Sequence, residues 1–140
     1  MSYDFSDRGG QPVIENIKYL TLANDNYRTT IWTGVKMQVA LMTIVPGDDT
    51  GLEIHVGIDQ FIHVISGQGF CEMGQSEDNL TISQAIGEDD AILIPTNIWH
   101  NIKNTGTKNL KLYTIYAEPD HLDGTVHRTH DDARHDPNEQ

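Results

Sequence analysis

Apolar residues along this chain come in short runs separated by turn-forming residues, with no helical stripe between them. The runs 37–45, 60–65, 80–86, 91–94 and 110–117 are rich in Val, Ile, Leu, Thr and aromatic residues. Between them lie Pro46-Gly47, Ser66-Gly67-Gln68-Gly69, Gly87-Glu88, Pro95-Thr96-Asn97 and Asn104-Thr105-Gly106. β-Branched and aromatic side chains fit a pleated, half-buried surface, and Gly, Pro, Asn and Asp supply the dihedrals of tight turns. No segment keeps a helical apolar period through three turns, so the pattern predicts an all-β chain. Many short strands, evenly spaced, predict a sandwich or a barrel.

The two ends break the pattern. Residues 1–15 read as a polar N-terminal arm, 16–119 as the β domain, and 120–140 as an acidic tail. The tail carries His121, His127, His130 and His135 among carboxylates. Its polarity predicts a solvated loop with at most one helical turn near 131–134, or a cover drawn over a pocket.

Composition narrows the setting. A chain of 140 residues fits one domain, and a domain of that size buries roughly 68–70% of its unfolded surface. The net charge of −12 argues against a nucleic-acid or anionic-membrane partner, since both require a basic surface. No apolar run approaches the ~20 residues of a membrane span. Nor do the first residues show the basic flank and apolar stretch of a signal peptide. Cys71 is the lone cysteine and cannot form an internal disulfide, which fits a reducing cytoplasmic home.

The candidate chemistry lies in the middle of the chain. Gly47 is followed after five residues by Glu53-Ile54-His55, after four more by Gln60, and after six more by Gly67. Further on, Pro95-Thr96-Asn97-Ile98-Trp99-His100 is followed after three residues by Asn104. The two segments resemble, in order and spacing, the two motifs of the cupin family. Glu53 stands where the family has its first His, Gln60 where it has Glu, and Asn97 where it has Gly; Gly87 to Pro95 is two residues longer than the pattern. Asn tolerates the left-handed conformation that glycine supplies. The resemblance implies a single cupin jelly-roll (double-stranded β-helix) barrel with one divalent metal ion in its mouth. It also implies a homodimer, pairing through an exchanged N-terminal strand at 27–33.

Residues two apart in a strand share a face, so Glu53 and His55 project together, and an inward Gln60 takes Ile62 and Val64 with it. A closed barrel brings His100 across to them. Two oxygens and two imidazoles then meet, a set that suits zinc, nickel, manganese or iron(II). Gln60 either ligates directly or bonds a metal-bound water or the substrate. His63 has the opposite parity and points away. Asp59 reads as a turn residue that a bulge would turn into a ligand, and Trp99 as packing. Arg28, Lys36 and Lys103 are candidate partners of an anionic substrate, and one of Tyr113 and Tyr116 faces the cavity.

From 27–34 through His100-Asn101 the chain is also similar to small bacterial cupins described as mannose-6-phosphate isomerase-like. That implies a metal-dependent isomerase acting on a sugar phosphate or small hydroxycarbonyl compound. Two histidines and one carboxylate also compose the facial triad of iron(II) dioxygenases. A non-catalytic small-ligand binding module is the third reading, and the pattern names no catalytic base.

Overall fold

The computed structural model describes residues 3–139. The strands are β1 (Arg28–Thr33), β2 (Gln38–Ile44), β3 (Asp59–Ser66), β4 (Gly69–Gly74), β5 (Ile82–Ile86), β6 (Ala91–Ile94), β7 (Trp99–Lys103), β8 (Leu110–Ala117) and β9 (Val126–His127). Two short helices accompany them, α1 (Ile17–Ala23) and α2 (His130–Arg134), with a 3₁₀ turn at Pro137–Glu139. In β8 Leu110, Leu112, Thr114 and Tyr116 are buried while Lys111, Tyr113 and Ile115 are less so. This period of two is that of a strand with one face on the core. In β3 the inward residues are Gln60, Ile62 and Val64, the parity expected from the sequence.

The strands form two antiparallel sheets, one ordered β6-β3-β8-β2-β1-β9 and one ordered β5-β4-β7. Side chains from both sheets, among them Ile44, Val64, Cys71, Ile102 and Leu112, share one core cluster. The result is the expected jelly roll, and its interior is where Gln60 and His100 end up buried. The turns fall where the sequence places them: Gly47, Gly67 and Asn97 have φ of 84°, 98° and 67°. That left-handed region is open to glycine and tolerated by asparagine.

Three features go beyond the sequence expectations. The first is α1, where the side chain of Asn16 caps the helix by accepting from the Tyr19 amide at 3.1 Å. Leu20 packs with Ile31 and Leu41 in a second, smaller cluster. Seven residues make two turns, too few for a helical period to stand out. The second is the arm, which is anchored to the sheet. The Arg8 amide donates to Ile31 O at 3.0 Å, and Trp32 Nε1 donates to Gln11 O at 2.8 Å.

The third is the tail, which is not a solvated loop. β9 pairs with β1, and His121, His127 and His130 are buried. Each meets a carboxylate: His121 with Glu139 at 2.7 Å, His127 with Asp136 at 2.9 Å and His130 with Asp48 at 3.1 Å. Paired ionisable groups can enter an interior that excludes them singly, and composition alone does not reveal the pairing. His135 does stay exposed, and α2 falls at the predicted helical turn. Within the chain β1 lies between β2 and β9. No helix among the described residues is long and apolar enough to cross a membrane.

Candidate metal centre

Glu53 reaches the site through a single β-bridge. Its amide and carbonyl exchange hydrogen bonds with those of His100, both at 2.9 Å. The regular strand expected through Glu53 and His55 is not present, since 54–58 run as loop and bend. His55 is fixed from the other motif instead. Its carbonyl accepts from the Asn97 amide at 2.9 Å and from Thr96 Oγ1 at 3.2 Å. The left-handed turn at Asn97 thus holds the backbone of a residue some forty positions earlier.

The side chains converge. Glu53, His55 and His100 each offer one ligand atom, all within 4.8 Å of one another, a group that could hold a metal ion. His55 Nε2 lies 3.6 Å from Glu53 Oε2, and the two imidazole centroids are 5.2 Å apart. Gln60 donates through Nε2 to Thr114 Oγ1 at 3.0 Å. Its Oε1 is buried without a hydrogen-bond partner. Gln60, Glu53 and His100 line one cavity, together with Arg28 and Tyr116, against walls that include Ile62 and Leu112. The space left among these side chains is about 10 Å³, room for roughly one water molecule.

The electrostatics fit a cation. Burial pushes the Glu53 carboxyl above its ordinary pKa, against the pull of Arg28 and His55. Burial also pulls His100 down, favouring the neutral imidazole that a metal requires. His100 Nδ1 donates to the Ile98 carbonyl at 3.1 Å, which leaves the Nε2 lone pair free. Burial acts against the His55 imidazolium, but Asp120, 3.5 Å from Nδ1, and then Glu53 lift its pKa above the usual histidine value. The desolvated carboxylate of Glu53 and the oriented ring of His100 suit a divalent ion where they meet His55, and Gln60 brings its orphan acceptor to the wall of the same cavity.

The other candidates sort by position. Asp59 Oδ1 accepts from the Thr96 amide at 3.0 Å and serves the turn. His63 lies between Tyr113 and Asp89, 3.1 Å from each and away from the cavity. Tyr116 lines the cavity. So does Arg28, whereas Lys103 pairs with Glu72 at 2.7 Å and Lys36 is exposed. Asp120 and Glu139 were not legible in the sequence as part of the centre. Their only signal was the mixture of His and carboxylates in the tail. A second group, Asp48, Asp49 and His130, also brings donors within 4.8 Å, but Asp48 Oδ1 already accepts from Asp49 N and His130 Nδ1. A roomier hollow of about 360 Å³ lies beside Phe61, Leu93 and Ile115; it gathers no comparable set of donors and is not the chemical centre.

The cupin domain family matches residues 40–116. The uncharacterized protein YrkC of Bacillus subtilis is 46% identical over 127 residues, 91% of this chain and 68% of that protein. The crystal structure of BH2720 from Bacillus halodurans superposes with a TM-score of 0.91 at 47% identity, covering 92% of this chain and 98% of that one. A proposed sugar phosphate isomerase of Acidithiobacillus ferrooxidans is more distant, with a TM-score of 0.52 and 25% identity over 61% of this chain and 52% of that one. With both motifs inside one jelly roll, and relatives matching nearly its full length, the chain belongs to the cupin family.

Proposed function

We propose that this cupin is a metal-dependent enzyme acting on a small hydroxycarbonyl compound of the sugar class, with Glu53, His55 and His100 as ligands of one divalent ion and Gln60 as the fourth. The observation that carries it is the convergence of Glu53, His55 and His100 within 4.8 Å of one another, with Glu53 and His100 lining the same cavity as Gln60, whose Oε1 is buried and unmatched. An unmatched buried acceptor costs about 1–3 kcal/mol, and a ligated ion recovers that cost.

Bound there, zinc, nickel, manganese or iron(II) supplies Lewis-acid polarisation of a substrate oxygen. The chain provides the rest. His55 and His100 present oriented imidazoles, Arg28 and Tyr116 offer donors to oxygen, and Ile62 and Leu112 keep water out. The cavity of about 10 Å³ is filled by the ion or one water, so a sugar reaches the ion only if the cavity widens. The isomerase neighbour supports the sugar class, and the free buried thiol of Cys71 is in keeping with a reducing cytoplasm. A homodimer belongs to the same proposal.

One observation favours a second reading, a non-haem iron(II) dioxygenase. Among the described residues lining the cavity Glu53 is the single carboxylate, so ligation leaves no separate base there for a proton shift. Elemental analysis of protein purified without chelator, beside His55→Ala and His100→Ala, tests both readings. One equivalent of zinc, nickel or manganese, lost in the variants, supports the isomerase and calls for sugar-phosphate assays. Iron supports the dioxygenase and calls for oxygen-consumption assays. No metal even after reloading overturns both and leaves a metal-free binding module.

A further inference from the structure

A cavity filled by one ion needs a wall that moves before a substrate can enter. Arg28 and Tyr116 belong to that wall, and one carboxylate stands behind both. Glu139 accepts from Arg28 Nη1 at 3.1 Å and from His121 Nδ1 at 2.8 Å. The His121 ring in turn meets Tyr116 edge-on, 5.0 Å between centroids. Glu139 sits on the most weakly held part of the tail. As far as α2 the tail is fixed by pairing and packing: β9 pairs with β1, His130 stacks on Tyr27 at 4.6 Å, and Ala133 lies in the core. None of residues 136–139 is buried. Among the described residues their backbone hydrogen bonds reach back only to Ala133. Two carboxylates do the holding, Glu139 on Arg28 and His121, and Asp136 on His127 Nε2 at 2.9 Å.

We propose that residues 136–139 are a strap that gates the centre. Closed, Glu139 pins Arg28 directly, and Tyr116 through His121, as walls of the cavity. Open, Arg28 keeps only His127 beside it, 3.0 Å away, and can swing outward to admit a substrate. The inference rests on the metal reading and names the route to its ion. A segment without apolar burial belongs to the low-stability end of a fold and opens without global unfolding. The closed arrangement also carries its own cost. Arg28 Nε and His121 Nε2, on the two groups that Glu139 holds, are buried without a hydrogen-bond partner. Water reaching them on opening removes that cost, which brings the open and closed states close in energy.

The test follows the wall and the ion separately. In metal-free protein, phenylglyoxal should modify the exposed Arg128 fast and the buried Arg28 slowly, as counted by peptide mass spectrometry. Glu139→Gln should speed modification of Arg28 at least ~10-fold and leave Arg128 unchanged. The control Asp132→Asn, an equal loss of charge on α2, should keep both wild-type rates. Cobalt(II) then follows the ion. A gate scales entry and exit alike, so Glu139→Gln should speed cobalt uptake by the apoprotein and cobalt loss to excess EDTA by one factor, at an unchanged dissociation constant. A residue that merely braces the ligands would shift that constant, and such a result overturns the gate. If Glu139→Gln does not fold, Asp136→Asn releases the strap's other anchor and should show the same pattern. Equal Arg28 rates in wild type and the folded variant overturn the inference alone. Wild type that binds no cobalt, with Arg28 modification accelerated as expected, overturns the metal reading and leaves the strap a gate to a metal-free cavity.

Discussion

Glu53 and Gln60 carry an exchange of chemistry between two corners of the centre: the carboxylate stands on the first motif's leading position and the amide on its trailing one. The anionic donor count is preserved, so removal of that single charge should matter most. Metal titration is expected to show a larger loss of affinity for Glu53→Gln than for Gln60→Ala, and equal losses would assign the charge to another carboxylate. Asp120 holds His55 from the outside at 3.5 Å from Nδ1. Outer carboxylates of this kind fix the ring and tautomer, and Asp120→Ala should weaken metal binding about 10–100-fold. An unchanged dissociation constant would make Asp120 a bystander. Cys71 illustrates a residue without such a role. It is 3% exposed, and burial pushes its thiol up to about 11. At pH 8 a thiol reagent should label it only after denaturation; rapid labelling of the folded protein would contradict its placement in the core.

At the scale of elements, the arm and tail are joined to the sheet by one carboxylate. Asp7 accepts from Thr33 Oγ1 at 2.6 Å, from the Gly124 amide at 2.8 Å and from the Gly9 amide at 2.9 Å. Burial raises its pKa, but these hydrogen bonds outweigh burial and hold it below the ordinary 3.8. A depressed carboxyl contributes stability that is full above the unfolded value and is lost as pH falls through the lower folded value. The melting-temperature gap between wild type and Asp7→Ala should therefore be wide at pH 7 and narrow on descending below 3.8; a gap independent of pH would deny the ionised carboxylate this role. Gly67 closes the turn between β3 and β4 at φ 98°, where an added Cβ would lie 2.7 Å from Asn109 O. Gly67→Ala should cost about 1–3 kcal/mol by strain and clash, measurable by urea denaturation, and a neutral result would mean that the turn can relax.

At the scale of the whole molecule, the tail is structural. It supplies β9 beside β1, Asp120 beside His55, and Glu139 beside Arg28. Ending the chain after residue 119 strips Arg28 of both Glu139 and His127, and an uncompensated buried charge costs about 3–5 kcal/mol. Such a chain should melt far lower and lose stoichiometric metal, as calorimetry and metal analysis would show; wild-type stability would make the tail dispensable. The expected homodimer is checked by light scattering at micromolar concentration, and a monomer would remove it from the proposal.

The sequence by itself determined the strands whose apolar alternation reports one buried face, the turns at Gly47, Gly67 and Asn97, and the set Glu53, His55, Gln60 and His100 as candidates. These are local properties, because period, turn chemistry and motif spacing each act within a few residues. Tertiary structure alone decided that Asn97 anchors His55, that Tyr116 rather than Tyr113 lines the cavity, and that the tail is buried. The reason is that charged and imidazole side chains stay in water unless partners are found for them. Whether Arg28, Asp120, His121 and Glu139 stay in water or enter the core depends on partners that only the folded chain brings within reach.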